Sequence, residues 1–277
     1  RKLLAGASGS KQRRRKLMHI LSFRLFCMHA VSRAAIYDII ISKQAHRSSK
    51  PRGFSMKKLF TAIKKHDLDT VKKILEDKPS LISCTAKAPP KSDDGKSLLQ
   101  VAIKDGTAEI ADYLLDRGAD VDFMEDEDCI SGWRMPVIQD ALSNAVMKTR
   151  WCSTDFQGNE RVQHTKEEND GAFALLKRMI SMGAKLDVSD SYGNTTMEIA
   201  ALQASQILPL YDARTQGYTS KRKINEDLRS DLERIFSLLF ENGLTSNVKM
   251  HNSEMTIKEF YSQKPVSEFL EGRAAGR

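Results

Sequence analysis

Asp94-Gly95-Lys96-Ser97-Leu98-Leu99-Gln100-Val101-Ala102-Ile103-Lys104-Asp105-Gly106-Thr107-Ala108-Glu109-Ile110-Ala111-Asp112-Tyr113-Leu114-Leu115-Asp116-Arg117-Gly118-Ala119-Asp120-Val121-Asp122 decides how the rest of the chain is read, because the later segments are looser copies of it. Leu99 and Ala102 stand three apart and so share one helical face. Gly106 admits the left-handed backbone that ends this helix. Ile110, Ala111, Leu114 and Leu115 then form the apolar stripe of a second helix, which Gly118 closes. The spacing predicts a short helix, a tight turn and another helix.

Working outward, Leu175, Leu176, Met179, Ile180, Gly183 and Ala184 repeat Ile110, Ala111, Leu114, Leu115, Gly118 and Ala119. Asp190-Ser191-Tyr192-Gly193-Asn194-Thr195-Thr196-Met197-Glu198-Ile199-Ala200 repeats the opening, and Ile235, Phe236, Leu239 and Phe240 before Gly243 repeat the stripe in a helix expected from Asp231 to Asn242. Another opening falls near Pro136-Val137-Ile138-Gln139-Asp140-Ala141. Upstream, Leu59, Ala62 and Ile63, then Val71, Ile74 and Leu75, form a lysine-rich first unit from Met56 that Pro79 ends, as suits a terminal unit facing water. Met255 to Phe260 and Val266 to Leu270 read as a closing cap. Extra residues at about 149–168 and 208–227 fall at the same place in two units, between first and second helix, so they are expected on one edge.

This order resembles an ankyrin repeat, with its Gly-x-Thr-Pro-Leu-His-x-Ala opening and its Ile-Val-x-Leu-Leu-Leu-x-x-Gly-Ala-Asp-Val-Asn ending, in units of about 33 residues. The resemblance spans residues 56–270 and is strongest at 94–122. It implies an all-α fold: a solenoid of about four divergent helix-turn-helix units with finger loops and two inter-helix insertions, followed by a tail at 271–277. One departure matters. The family's Leu-His is Leu99-Gln100, Ile138-Gln139 and Met197-Glu198 here. The family's histidines bridge neighbouring turns, and glutamine, which both donates and accepts, can stand in their place.

The chain has 277 residues and a net charge of +8, unevenly spread. Residues 1–55 hold thirteen Lys and Arg against one acid, Asp38, a net of +12, which leaves the remainder at −4. This basic leader reads as translated upstream sequence before a bacterial-type start at Met56, as a nucleic-acid or membrane-contacting arm, or as an organelle transit segment. Its apolar run is broken by Arg24, Arg33 and Asp38, unlike a membrane-spanning helix of about 20 apolar residues. Cys27, Cys84, Cys129 and Cys152 form no Cys-x-x-Cys pair and fit a reducing, cytoplasmic setting.

No catalytic constellation emerges. Gly95-Lys96-Ser97 resembles the end of a phosphate-binding loop, but Pro90 stands where the first glycine is required. The six histidines are dispersed, with His66 in a turn, and no nucleophile is paired to a base. The expectation is a non-enzymatic, monomeric module without metal or cofactor. Following the resemblance, it binds another protein through the concave face, the insertions and one acidic finger, where a basic partner would fit; an inhibitor or immunity role is one form of this. Phe123, Glu125, Asp126, Glu127, Asp128 and Trp133 are the expected contacts, with Trp151 as a second anchor beside Phe156, Tyr211 and Tyr218 of the insertions. The inner-helix face near Gln100, Gln139 and Glu198 is the fallback surface. The alternative function is nucleic-acid or membrane association through the basic arm.

Overall fold

A computed structural model of the chain describes residues 53–105, 107–130, 132–155, 157–212, 214–215, 217–218 and 222–271. The readings of the basic leader, Gly106, Phe156 and the tail past residue 271 lie outside the described residues.

The described part is mostly helical. In chain order it contains α1 (Gly53–Lys64), α2 (Leu68–Asp77), α3 (Leu98–Lys104), α4 (Ala108–Asp116), α5 (Val137–Met147), α6 (Lys166–Ser181), α7 (Thr196–Ile207), α8 (Glu226–Glu241) and α9 (Ile257–Phe260), with a closing 3-10 turn at Pro265–Phe269. The first helix starts at Gly53 rather than Met56. The eighth starts at Glu226 rather than Asp231, because Asn225 caps it by accepting from the Leu228 amide. None of the described helices is long and apolar enough to cross a membrane.

Two rows of helices follow from the packing. In one, α3 lies on α5, α5 on α7 and α7 on α9; in the other, α2 lies on α4, α4 on α6 and α6 on α8. The apolar stripes read from the sequence meet in one core, where Leu59, Ile63, Val71, Leu99, Ile110, Leu114, Leu142, Leu176, Ile235 and Leu239 are buried. Gly118, Gly183 and Gly243 end α4, α6 and α8 with φ of 83°, 94° and 89°, the left-handed backbone that a side chain resists. His66 does the same work after α1 at φ 59° and is exposed.

Gln100, Gln139 and Glu198, polar yet buried at the starts of their helices, are structurally informative. Ser97 and Gln100 form a capping box at α3: the Ser97 hydroxyl accepts from the Gln100 amide and Gln100 Oε1 accepts from the Ser97 amide. That leaves Gln100 Nε2 to donate across to the Met135 carbonyl (2.9 Å) and to Asp140 Oδ2 (2.8 Å). Glu198 repeats the arrangement, closing a box with Thr195 while its Oε1 accepts from the His251 amide. Gln139 Nε2 likewise reaches forward, donating to the Val188 and Asn194 carbonyls. Gln100 and Glu198 thus each cap their own helix and tie it to a later loop, while Gln139 makes only the tie.

Gln139 carries the flaw in this series. The residue before α5 is Pro136, which has no amide hydrogen, and buried Gln139 Oε1 has no partner. Pro136→Ser would supply both the missing donor and a cap, giving α5 the box that Ser97 gives α3. Against the unfolded-chain entropy that serine restores, about 0.4–1 kcal/mol, stand a satisfied buried acceptor and a cap. The variant is expected to gain about 1 kcal/mol in chemical denaturation; a loss would show that the buried proline ring matters more.

The insertions fold as hairpins. β1 (Cys152–Thr154) pairs antiparallel with β2 (Glu160–Val162), and β3 (Tyr211–Asp212) with β4 (Gly217–Tyr218). The first turns where Asp155 Oδ1 accepts from the Gln157 and Asn159 amides and Gly158 takes φ 89°. The expected common edge is present: Cys152 bridges to Lys223, and Lys223 pairs with Glu160. Arg150, at the root of the first hairpin, donates from Nε and Nη2 to the two oxygens of Asp231 in α8 at 3.0 and 2.8 Å, and its amide also donates to Asp231.

Candidate interaction surface

The loop between α4 and α5 carries the expected acidic finger, and burial divides it. Glu125 does not belong to the solvated run. Its side chain is 0% exposed; Oε1 pairs with Lys96 Nζ at 2.9 Å and Oε2 accepts from the Met135 amide. A buried carboxylate held by a cation and an amide shapes the loop from inside, so its place among the contact residues is corrected. Asp126, Glu127 and Asp128 stay exposed, with Arg134 Nη2 3.8 Å from Glu127.

Phe123 and Trp151 are less open than the finger's exposed acidic residues. Both are partly buried and pack against the core, and the Arg222 guanidinium stands 5.4 Å from the Trp151 ring centre. The Trp151 indole nitrogen donates to the Met147 carbonyl, so this ring seats the first insertion on α5. The side chains of Tyr211 and Tyr218 lie outside the described residues. Gln100, Gln139 and Glu198 are buried, which removes them from the fallback surface as well.

Gly95-Lys96-Ser97 has other duties than phosphate. Ser97 caps α3, Lys96 holds Glu125, and a Cβ on Gly95 would come within 2.8 Å of the Cys129 Cβ, so only glycine lets the two loops approach. Around Lys96 lies a network. Asp140 Oδ2 is 3.8 Å from Lys96 Nζ, and nearly buried Asp93 pairs with Lys64 and Lys104. Burial pushes Asp140 up to about 6, helped by the Glu125 carboxylate and opposed by Lys96, Gln100 and Lys104. Burial alone would lower Lys96, but Asp140 and Glu125 outweigh it and hold the ammonium above its usual range.

That arrangement predicts a pH slope. The unfolded aspartate titrates at about 3.9, so between about pH 4 and the folded value the folded state binds the extra proton and stability falls as pH rises. Asp140→Asn keeps an acceptor for Gln100 and removes the titration. The variant is expected to gain on the parent through this window by up to about 2 kcal/mol. Parallel melting curves from pH 4 to 7 would contradict the assignment.

At the loop tips the arrangement is different. Ile130 is 58% exposed, Trp133 42% and Tyr192 57%, yet each is held by a hydrogen bond, Ile130 and Tyr192 through the amide and Trp133 through the indole. The Ile130 amide donates to Asp94 Oδ2, the Trp133 indole to Asp190 Oδ2 at 2.8 Å, and Ser191 and Arg134 join the two loops by paired bonds. Gly132 approaches Tyr192, whose hydroxyl oxygen would lie 3.9 Å from a Cβ there. Trp133, an expected contact, is exposed, and its indole is held by Asp190; Ile130 and Tyr192 join it without having been singled out.

No family model matches the chain, and no curated protein matches it. Among the described residues no group of three or more His, Cys, Asp and Glu could hold a metal ion. His164 is half-buried beside Glu168 and Lys148; burial and the lysine lower its pKa. These loops place the exposed side chains of Ile130, Trp133 and Tyr192 and the exposed carboxylates Asp126, Glu127 and Asp128 at their tips.

Proposed function

We propose that the chain is an ankyrin-type solenoid, acting inside a cell, that binds another protein through its loop tips and performs no reaction of its own. The fold reading is supported by the two rows of paired helices and by Gln100, Gln139 and Glu198, which take one position in successive units and reach forward to the next loop. The observation that carries the functional reading is the exposed set Ile130, Trp133 and Tyr192, each held by a hydrogen bond, since large exposed apolar side chains of this kind are what protein interfaces use as anchors. An inhibitory or immunity role is one use of such a surface.

A second reading has its own observation. Residues 1–55 hold thirteen basic side chains and one acid, and a polyanion would be attracted to them.

Affinity capture with the full chain from cell extract, followed by reconstitution with the purified captured protein, separates the two. A nuclease-resistant, stoichiometric complex with a protein is expected. Capture of nucleic acid alone, lost on nuclease treatment and falling steeply with salt, would overturn the first reading in favour of the second.

A further inference from the structure

We propose that the shelf formed by Ile130, Trp133 and Tyr192 docks a protein segment that presents an aliphatic or aromatic side chain flanked by lysine or arginine. This rests on the protein-binding reading and names the partner's chemistry. The apolar part follows from exposure and rigidity together. Pinning by Asp94, Asp190 and the Ser191–Arg134 pairing means that little order has to be imposed on the shelf at binding, so burial of these side chains is retained as affinity.

The basic part follows from where negative charge is left over. On the helices and loops around Lys96, the carboxylates Asp93, Glu125 and Asp140 face Lys64, Lys96 and Lys104, three charges against three. At the tips Asp126, Glu127 and Asp128 are exposed; Arg134 lies 3.8 Å from Glu127, and Lys87 acts on Asp94 rather than on these three. A segment carrying cations beside its apolar anchor completes this margin, and an acidic one is repelled. The margin governs association rate, while the shelf governs how long the complex lasts.

The test uses a random peptide library displayed on phage, selected on the full chain. Enrichment of sequences that combine an apolar residue with flanking lysine or arginine is expected. Synthetic versions should bind Ile130→Ser/Tyr192→Ser at least about tenfold more weakly, as befits loss of interface anchors. Asp126→Asn/Glu127→Gln/Asp128→Asn should bind them with a slower association rate that no longer falls with salt. Trp133 is left in place because its indole holds Asp190; circular dichroism and melting check that both variants stay folded. Enriched peptides without basic residues, no enrichment, or parental binding by both variants would each overturn the proposal. Parental binding by both variants, with a protein still captured by the full chain, would remove the shelf and leave the protein-binding reading standing.

Discussion

Asp231→Ala is expected to lower folding stability by about 3 kcal/mol or more, within the 3–5 kcal/mol typical when one partner of a buried ion pair is removed. Asp231 is 1% exposed and accepts three bonds from Arg150, two from the guanidinium and one from the amide. Without it the guanidinium, 16% exposed, keeps Asp227 at the surface but loses its bidentate partner, and the amide at the root of the first hairpin is left unsatisfied. Urea denaturation measures the loss. Asp231→Asn, which keeps the size and one acceptor, should lose less. A loss below about 1 kcal/mol for the alanine variant would show that the hairpin is not fastened to α8 here.

Leu114→Ala is expected to cost about 2–5 kcal/mol, the range for emptying a fully buried leucine site. Leu114 is 0% exposed, and its carbonyl accepts from the Ala119 amide in the turn that Gly118 makes possible. Since α4 packs against α2, α3 and α6, a cavity there weakens contacts on several sides at once. A variant that melts like the parent would mean that the second helix of the central unit is not part of the core.

Both residues show how far the sequence could be read. Leu114 was legible because helical periodicity is local: Ile110, Ala111, Leu114 and Leu115 announce one buried face without any partner being known. Asp231 was not, since its role depends on Arg150, 81 residues away, and nothing local distinguishes it from Asp227. The bridging role of Gln100 followed from its position and its capacity to donate and accept, whereas the orphaned oxygen of Gln139 required knowing that the residue capping α5 is Pro136. The hairpins do not show in the sequence as strands because runs of two or three residues have no period; the Asp155 to Asn159 turn is a local signal of the first.

The acidic finger shows the same limit on the functional side. Glu125, Asp126, Glu127 and Asp128 are alike as letters; Lys96, 29 residues upstream, and the Met135 amide draw Glu125 inward. Ile130 and Tyr192 carry no sequence signal of exposure, because an apolar residue is more often buried. Trp133 was legible through its neighbours in the acidic run. Its pinning by Asp190, 57 residues downstream, was not.

Protein recognition through the loop tips is tested most directly by amide hydrogen exchange of the full chain, alone and saturated with the purified protein it captures. Protection is predicted to rise at residues 124–134 and 187–195, with the hairpins at 152–162 and 211–218 unchanged. Protection confined to the hairpins or to residues 1–52, with the tips exchanging at their free rate, would contradict it.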